Sequence, residues 1–516
     1  MSDTVRHDDR TGRPVPRRDF LKTTAAAAAG FTIVPRHVLG AGQTPPSDKL
    51  NIAGVGVGGM GRANLTNLSS ENIVALCDVD WGYVDRTFSR LPAEIQEREG
   101  QVKSLESETD RKELLEWIEN TKRLADQVPR AKRYTDYREM LDKQQDIDAL
   151  MIAPPDHMHA PIALAAMDLG KHVYVQKPLT WSVEEARRLA QKAAASKIAT
   201  QMGNQGHSSD DARLLNEYIW AGAIGDVGEV HVWTDRPLGY WPQAVPRPEP
   251  AAPAPMPSAT PADGSRWDAE ALSNRLASAM GSYPVPDKLA WDLFLGVAPH
   301  VPYHPIYHPF NWRGWVDWGV GPLGDMGAHL IDHAMWALEL GYPTTIETVS
   351  TPFNKVSYPA ATITYYEFPA RGSKPPVTLT WYDGGLFPPK PVELGNEELD
   401  KTGGVLFIGS KGKLICSTLG ANPRLLPKSL HDSFGAPPQK LPRIATSHEM
   451  NWVEAAKGKT EASCPFDYAA RLTEVMLLGI VSLRAGRKIE YDGANMRVTN
   501  IPWANQFLSR EYRAGW

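Results

Sequence analysis

Cysteine is scarce: three in 516 residues, Cys77, Cys416 and Cys464, and no CxxC pair. That excludes a disulfide framework and a cysteine-based metal knuckle, leaving one bridge open that no spacing forces. An excess of one charge is lacking too. Lys plus Arg total 55 against 60 Asp plus Glu, a net charge of -5, and such a balance gives no electrostatic reason to expect a nucleic-acid partner. After the first 40 residues no apolar run approaches the length that spans a bilayer. Histidine groups are the remaining metal candidates, His157 and His159 in DHMHA and the trio His300, His304 and His308. The trio lies in VAPHVPYHPIYHPF, where no helix fixes a ligand geometry, so no metal is expected.

Proline, glycine and tryptophan are abundant, at 43, 42 and 16 residues. They suit an ordered protein with long surface loops and aromatic platforms, as carbohydrate sites often have, although any one Trp serves equally well as core. The length predicts two or more domains. At the start, PRRDFLKTTAAAAAGFTIV joins the twin arginines Arg17 and Arg18 to FLK and a weakly apolar alanine run. This is the pattern of a twin-arginine (Tat) export signal, too short in its apolar part to span a membrane. It predicts export to a bacterial periplasm or beyond, with the Tat translocase as a transient partner. Residues 1–47 are assigned to this signal and a linker.

KLNIAGVGVGGMGRANLTNL predicts a strand over 50–55, a glycine turn and a helix from near Gly61. Read as GVGGMG, the turn places fingerprint glycines at Gly56, Gly58 and Gly61. The first permits a tight turn, the second lets a pyrophosphate approach the backbone, and the third lets the helix pack on the sheet. A register starting at Gly54 fits the same pattern. The next strand, NIVALCDVD, reaches Asp78, 22 residues after Gly56. An acidic side chain there accepts hydrogen bonds from both ribose hydroxyls and repels a 2′-phosphate, which favours NAD over NADP.

A charged segment over 91–130 reads as a helical insertion on the outside of this domain. DIDALMIAPPDHMHAPIALAAMDLGKHVYVQKPL then resumes a βαβ alternation: a strand over 149–153, a loop, a helix over 160–169 and a strand over 173–175. Gln176 and Lys177 follow at the carboxyl end of that strand, where such sheets bind ligands. IATQMGNQGH continues with a strand and a loop, whose Asn204, Gln205 and His207 are candidate contacts to cofactor or substrate. A Pro- and Ala-rich stretch over 241–266 reads as a surface excursion. LAWDLFLGVAPHVPYHPIYHPFNWRGWVDWG is dense in Trp, Tyr, His and Arg, which stack on sugar faces and bridge hydroxyls. Tyr307, His308, Trp312 and Arg313 are its candidates for a substrate wall; a packed loop is the plainer role. In GPLGDMGAHLIDHAMWAL the i, i+4 spacing puts Asp325 and His329 on one helix face, with Asp332 a turn further on. ATITYYEF, PVTLTWYDGG and the hairpin GVLFIGSKGKLICS, turning at 410–412, predict an antiparallel sheet. A helix over 468–484 reads as packed core.

Together AGVGVGGMGR, CDVD, APPDHMHAPIALAAMDLGKHVYVQKPL and GDMGAHLIDHAMWAL resemble the Gfo/Idh/MocA family of glucose-fructose oxidoreductase, inositol dehydrogenase and related enzymes, over nearly the whole chain after the signal. The resemblance implies an α/β protein: a Rossmann domain with a doubly wound parallel sheet at 48–180, and at 181–516 an α+β substrate and oligomerisation domain with a large, mostly antiparallel sheet. It implies a nicotinamide cofactor at their junction, lined by Gly56, Gly58, Met60, Gly61, Asp78, Pro154, His159, Gln176 and Asn204. The family's usual Glu-Lys-Pro carries a catalytic lysine. Lys177 and Pro178 match it, while Gln176 departs and removes a carboxylate near the nicotinamide. The family's catalytic Asp and His fall on Asp325 and His329.

On that pattern His329 takes the proton from a secondary alcohol of a sugar, cyclitol or glycoside, Lys177 supports the developing alkoxide, and Asp325 orients the pair. Lys177 and His329 would contact the substrate together with His207, Tyr307, His308, Trp312 and Arg313. An exported enzyme has no free NAD pool, so two chemistries stay open: net redox with tightly held NAD, or glycoside cleavage by oxidation, elimination and reduction. A non-catalytic sugar-binding protein on the same fold is the third reading. The open sheet face is expected to carry homo-oligomer contacts, in a dimer or tetramer.

Overall fold

Two apolar runs that do not alternate, NIAGV and NIVALC, lie side by side as parallel strands β1 (Asn51–Val55) and β2 (Asn72–Cys77). Strands covered on both faces have no need of a polar side, hence the missing alternation. With β3 (Lys132–Tyr134), β4 (Ala149–Ile152), β5 (His172–Gln176) and β6 (Thr200–Gly203) they form a six-stranded sheet in the order β3-β2-β1-β4-β5-β6. Every pairing in it is parallel. The order reverses between β1 and β4, and the carboxyl ends on either side of that switch open a crevice for a ligand.

This computed structural model describes residues 48–248 and 281–516. The export signal and linker expected at 1–47 lie outside the described residues, as does the Pro- and Ala-rich excursion from residue 249 on. Leu50–Trp516 forms one compact unit. The parallel sheet runs past residue 180, because the helix Val183–Ala194 returns the chain and adds β6 at the edge. The charged 91–130 segment holds two helices, Leu91–Gln101 and Glu108–Gln127. The second is the crossover from β2 to β3. It buries Ile118 and Leu124, and its Gln127 side chain accepts from the Ile73 amide and donates to the Ser69 carbonyl, both at 2.7 Å.

The second sheet has nine strands: β7 (Val227–Thr234), β8 (Thr345–Ser350), β9 (Thr362–Phe368), β10 (Val377–Tyr382), β11 (Gly403–Gly409), β12 (Lys413–Ser417), β13 (Arg424–Leu426), β14 (Ile489–Asp492) and β15 (Arg497–Val498). Among the described residues only β7 and β10 pair in parallel within it; the other ladders are antiparallel. Helix Gly321–Ala337 packs on β7 and β11 and on helix Phe466–Ala485. The latter is buried along most of its length and reaches back to Val183–Ala194, where Arg187 Nη2 donates to Glu474 Oε1 at 2.6 Å. The two sheets are thereby joined through one continuous apolar core. Among the described residues no helix is long and apolar enough to cross a membrane.

Candidate active site

The glycine turn between β1 and the helix Met60–Asn67 shows which glycines the backbone needs. Gly56 has φ +76°, and a Cβ on it would sit 2.3 Å from the Pro154 nitrogen. A Cβ on Gly61 would lie 2.1 Å from the Gly56 carbonyl oxygen, and one on Gly58 would meet the Tyr83 ring at 2.5 Å. Gly59, the third glycine of the alternative register, faces open space. Close helix packing therefore belongs to Gly61, and the fingerprint is Gly56, Gly58 and Gly61. The half-buried Asp78 carboxylate braces the same turn. Its Oδ2 accepts from the Val57 and Gly58 amides at 2.8 and 3.2 Å, and its Oδ1 from Asp80 at 2.9 Å. Burial pushes Asp78 up to about 6 against these amides. A bare glycine edge, a helix N-terminus and an acidic strand end fit a nicotinamide dinucleotide.

From this turn a cavity of about 570 Å³ runs between the sheets. Gly56, Gly58, Met60, Asp78, Pro154, His159 and Gln176 line one part of it, and Lys177, Asp325 and His329 another. His159 pins the loops after β4 and β5, its ring nitrogens 2.7 and 2.9 Å from the Pro178 and Pro154 carbonyl oxygens. Lys177 stands just past the end of β5, before a cis peptide to Pro178. Its Nζ donates to the Asp325 carboxylate at 2.7 Å and to the Asp325 carbonyl at 2.5 Å. Burial would raise Asp325, but Lys177, Arg313 and Arg236 outweigh it and hold the carboxyl well below the usual range. His329, 8% exposed, has Nδ1 3.2 Å from Asn204 Oδ1. Donation from Nδ1 to that oxygen leaves Nε2 as the lone-pair nitrogen. Burial, and next the charge of Lys177, push His329 down to about 3, so the ring is neutral at physiological pH.

Gln176 ends a buried amide chain. Its Nε2 donates to Asn64 Oδ1 at 3.0 Å, and Asn64 Nδ2 donates to Glu449 Oε1 at 2.7 Å. A carboxylate at 176 would face the Asn64 oxygen with no proton to give, so the amide completes a chain whose acid comes from Glu449 instead.

Not every candidate reaches the cavity. His207 is buried with Nδ1 3.0 Å from both Asp332 oxygens and its ring stacked on Trp336 at 3.8 Å, a packing role that replaces the expected substrate contact. Tyr307 is 1% exposed among Trp291, Trp315 and Trp318, so it too is core and no wall of the site. Gly61 and Asn204 stand behind the lining, the first under the glycine turn and the second on His329. His308 lines the cavity, but its Nε2 lies 2.7 Å from Asp80 Oδ2, beside the cofactor turn. Trp312 and Arg313 do face the cavity. Among the described residues no group of three or more His, Cys, Asp or Glu side chains could hold a metal ion.

Residues that sequence reasoning missed complete the wall: Asp156, Arg236, Tyr240, Trp241 and Phe310. Asp156 stands in the PPDH loop after β4, and its position at a parallel strand end was the available signal. It is 5% exposed and accepts from the Val320 amide at 3.2 Å. Burial pushes it up to about 7, with Arg313 and Lys177 opposing. Because that value lies above the ordinary 3.8, the folded protein holds an extra proton between about pH 4 and 7, and stability falls as pH rises through that window. Asp156→Asn removes this dependence. The variant should gain stability on the wild type from pH 5 to pH 8 by roughly 2.5 kcal/mol, measured by chemical denaturation at fixed NAD. An equal gap at both pH values would refute the assignment.

The six-stranded parallel sheet, the glycine turn and the cavity against a mixed sheet define a nicotinamide-dinucleotide-binding oxidoreductase fold. Family models agree: the oxidoreductase family NAD-binding Rossmann fold matches residues 95–204, and the oxidoreductase family C-terminal alpha/beta domain matches 267–355. Two stretches of the chain thus match models of the Gfo/Idh/MocA oxidoreductase family. A curated relative, glycosyl hydrolase family 109 protein 1 of Shewanella sp. (strain MR-4), is 25% identical over 237 residues, 41% of this chain and 44% of that protein. The chain thus matches less than half the length of such relatives. GenD2 from gentamicin A biosynthesis, solved with NAD, is 15% identical with TM-score 0.50 over 88% of this chain and 99% of its own. The WlbA dehydrogenase from Chromobacterium violaceum, solved with NADH and UDP-GlcNAcA, is 13% identical with TM-score 0.50 over the same shares. These two show the fold.

Proposed function

We propose that the protein oxidises or reduces a secondary alcohol on a carbohydrate-like substrate, using NAD in preference to NADP. The observation that carries this reading is the single cavity joining the glycine turn to Lys177, Asp325 and His329. A bound nicotinamide dinucleotide supplies the hydride acceptor or donor. Lys177, held against Asp325, offers an N–H to the substrate oxygen and stabilises alkoxide charge as it develops. His329, neutral and fixed by Asn204, takes the hydroxyl proton at Nε2. Tyr240, Trp241, Phe310 and Trp312 give flat apolar surfaces for a sugar face. Asp78 disfavours a 2′-phosphate. The twin-arginine leader supports export as a folded protein with NAD held tightly. Exposed Val349 and Tyr365 on the nine-stranded sheet support homo-oligomer contacts there.

Asp156 favours a second reading, glycoside cleavage without net redox, which is in keeping with the glycosyl hydrolase name of the relatives. Oxidation of a ring hydroxyl acidifies the neighbouring C–H. A base takes that proton while the C–O bond to the aglycone breaks, and Asp156, buried near Lys177 and Arg313, can supply the proton the leaving oxygen needs. Addition of water and reduction of the carbonyl then restore the sugar. Mass spectrometry of the purified exported protein for bound nicotinamide, followed by incubation with glycosides, separates the readings. NADH rising with oxidised sugar supports the dehydrogenase, and free aglycone without NADH supports the glycosidase. A protein that holds no NAD and takes none up would be a sugar-binding protein instead.

A further inference from the structure

Three cations crowd one carboxylate at the substrate end of the cavity. Asp325 Oδ1 is 2.7 Å from Lys177 Nζ and 3.4 Å from Arg313 Nε, and its Oδ2 is 3.6 Å from Arg236 Nε. The lysine takes the short contact, and the two guanidiniums pair with Asp325 only at longer range. Arg313 donates from Nη1 to the Phe310 carbonyl at 3.1 Å. Arg236 donates from Nη1 to Asp235 at 2.5 Å, and its buried Nε has no hydrogen-bond partner among the described residues. Aromatic rings hold both heads. Arg236 lies 3.3 Å from the Tyr240 ring centroid, and Arg313 lies 4.2 Å from those of both Phe310 and Trp312. Stacking fixes a guanidinium by its face and leaves its N–H edge for a planar or tetrahedral oxyanion. A neutral polyol needs no such pair, and three cations facing the two carboxylates Asp325 and Asp235 leave positive charge in the cavity for an anion to balance.

We propose that the substrate carries an anionic group, a carboxylate, phosphate or sulfate on the sugar frame, and that Arg236 and Arg313 bind it while the alcohol lies at Lys177 and His329. This rests on the carbohydrate reading above and narrows it to acidic sugars. Arg236 sits just past β7 and Arg313 in the loop before helix Gly321–Ala337, so two separate elements of the second sheet's layer grip the group.

The test is calorimetric titration of the NAD-loaded full-length protein with matched probes: glucuronate against glucose, galacturonate against galactose, glucose 6-phosphate and glucose 6-sulfate against glucose. At least one acidic member should bind about tenfold or more tightly than its neutral partner, with the preference shrinking as salt rises. The preference should fall to near unity in both Arg313→Gln and Arg236→Gln, whose NAD content and melting curve report that they are folded. Neutral members binding as well as acidic ones in every pair, a preference that survives both substitutions, or no binding of any acidic probe would each overturn the proposal. The oxidoreductase reading is judged separately, by NAD uptake and NADH formation, so neutral sugars that are turned over would leave it standing while removing this one. The chemistry of the winning acidic probe distinguishes carboxylate, phosphate and sulfate.

Discussion

Lys177→Met should lower kcat by about 10³-fold while NAD affinity stays within about threefold. The ammonium is the donor nearest Asp325, on a strand end that also lines the cofactor cavity. Methionine keeps the length and most of the apolar stem, so β5 and the loop it enters keep their packing. The Asp325 carboxylate is not stranded either, because Arg313 and Arg236 remain within 3.4 and 3.6 Å. What disappears is an N–H that strengthens as negative charge gathers on the substrate oxygen, and such an interaction is lost from the transition state more than from the ground state. Single-turnover absorbance at the nicotinamide band, with NAD binding measured by titration, separates the two effects. Equal losses in kcat and NAD affinity would mean that Lys177 shapes the cofactor site and takes no part in chemistry.

The candidates that lie at the cavity or directly behind it are those whose position follows from local pattern. Gly56, Gly58 and Gly61 are tied to one turn, Asp78 to the end of the next strand, and Lys177 to the end of β5. Asp325 and His329 share a face because four residues make about one helical turn. The misplaced residues depend on which way a loop side chain turns, and tertiary packing decides that. His207 lies in a loop beside the site, yet it turns onto Asp332 and Trp336, partners 125 residues or more away in the chain. Tyr307 comes from the aromatic segment that does reach the cavity through Phe310 and Trp312, but the tryptophans around it claim it for the core. Arg236 has no local signal, because the helix that brings Asp325 to it begins 85 residues later, at Gly321. Glu449, which supplies the acid behind Gln176, lies 385 residues from its partner Asn64.

Asp78→Ala should cost NAD affinity about 100-fold and stability about 3 kcal/mol, since it removes both carboxylate oxygens on which three backbone amides rest. Sequence reasoning gives Asp78 to the adenosine ribose. The structure adds that the same carboxylate already accepts from Val57, Gly58 and Asp80, and so holds the glycine turn in shape before any ligand arrives. The two roles predict different behaviour toward nicotinamide mononucleotide, which lacks the adenosine half. If Asp78 served only the ribose, this fragment would bind variant and wild type alike. Bracing the turn that cradles the phosphates should instead weaken the fragment as well, because the Val57 and Gly58 amides lose their anchor and the turn loses its fixed geometry. Fluorescence titration with NAD and with the mononucleotide, alongside thermal melts, reads both. A mononucleotide affinity unchanged by the substitution, with NAD affinity reduced, would assign Asp78 to the ribose alone; NAD binding within about threefold of wild type would remove it from both roles.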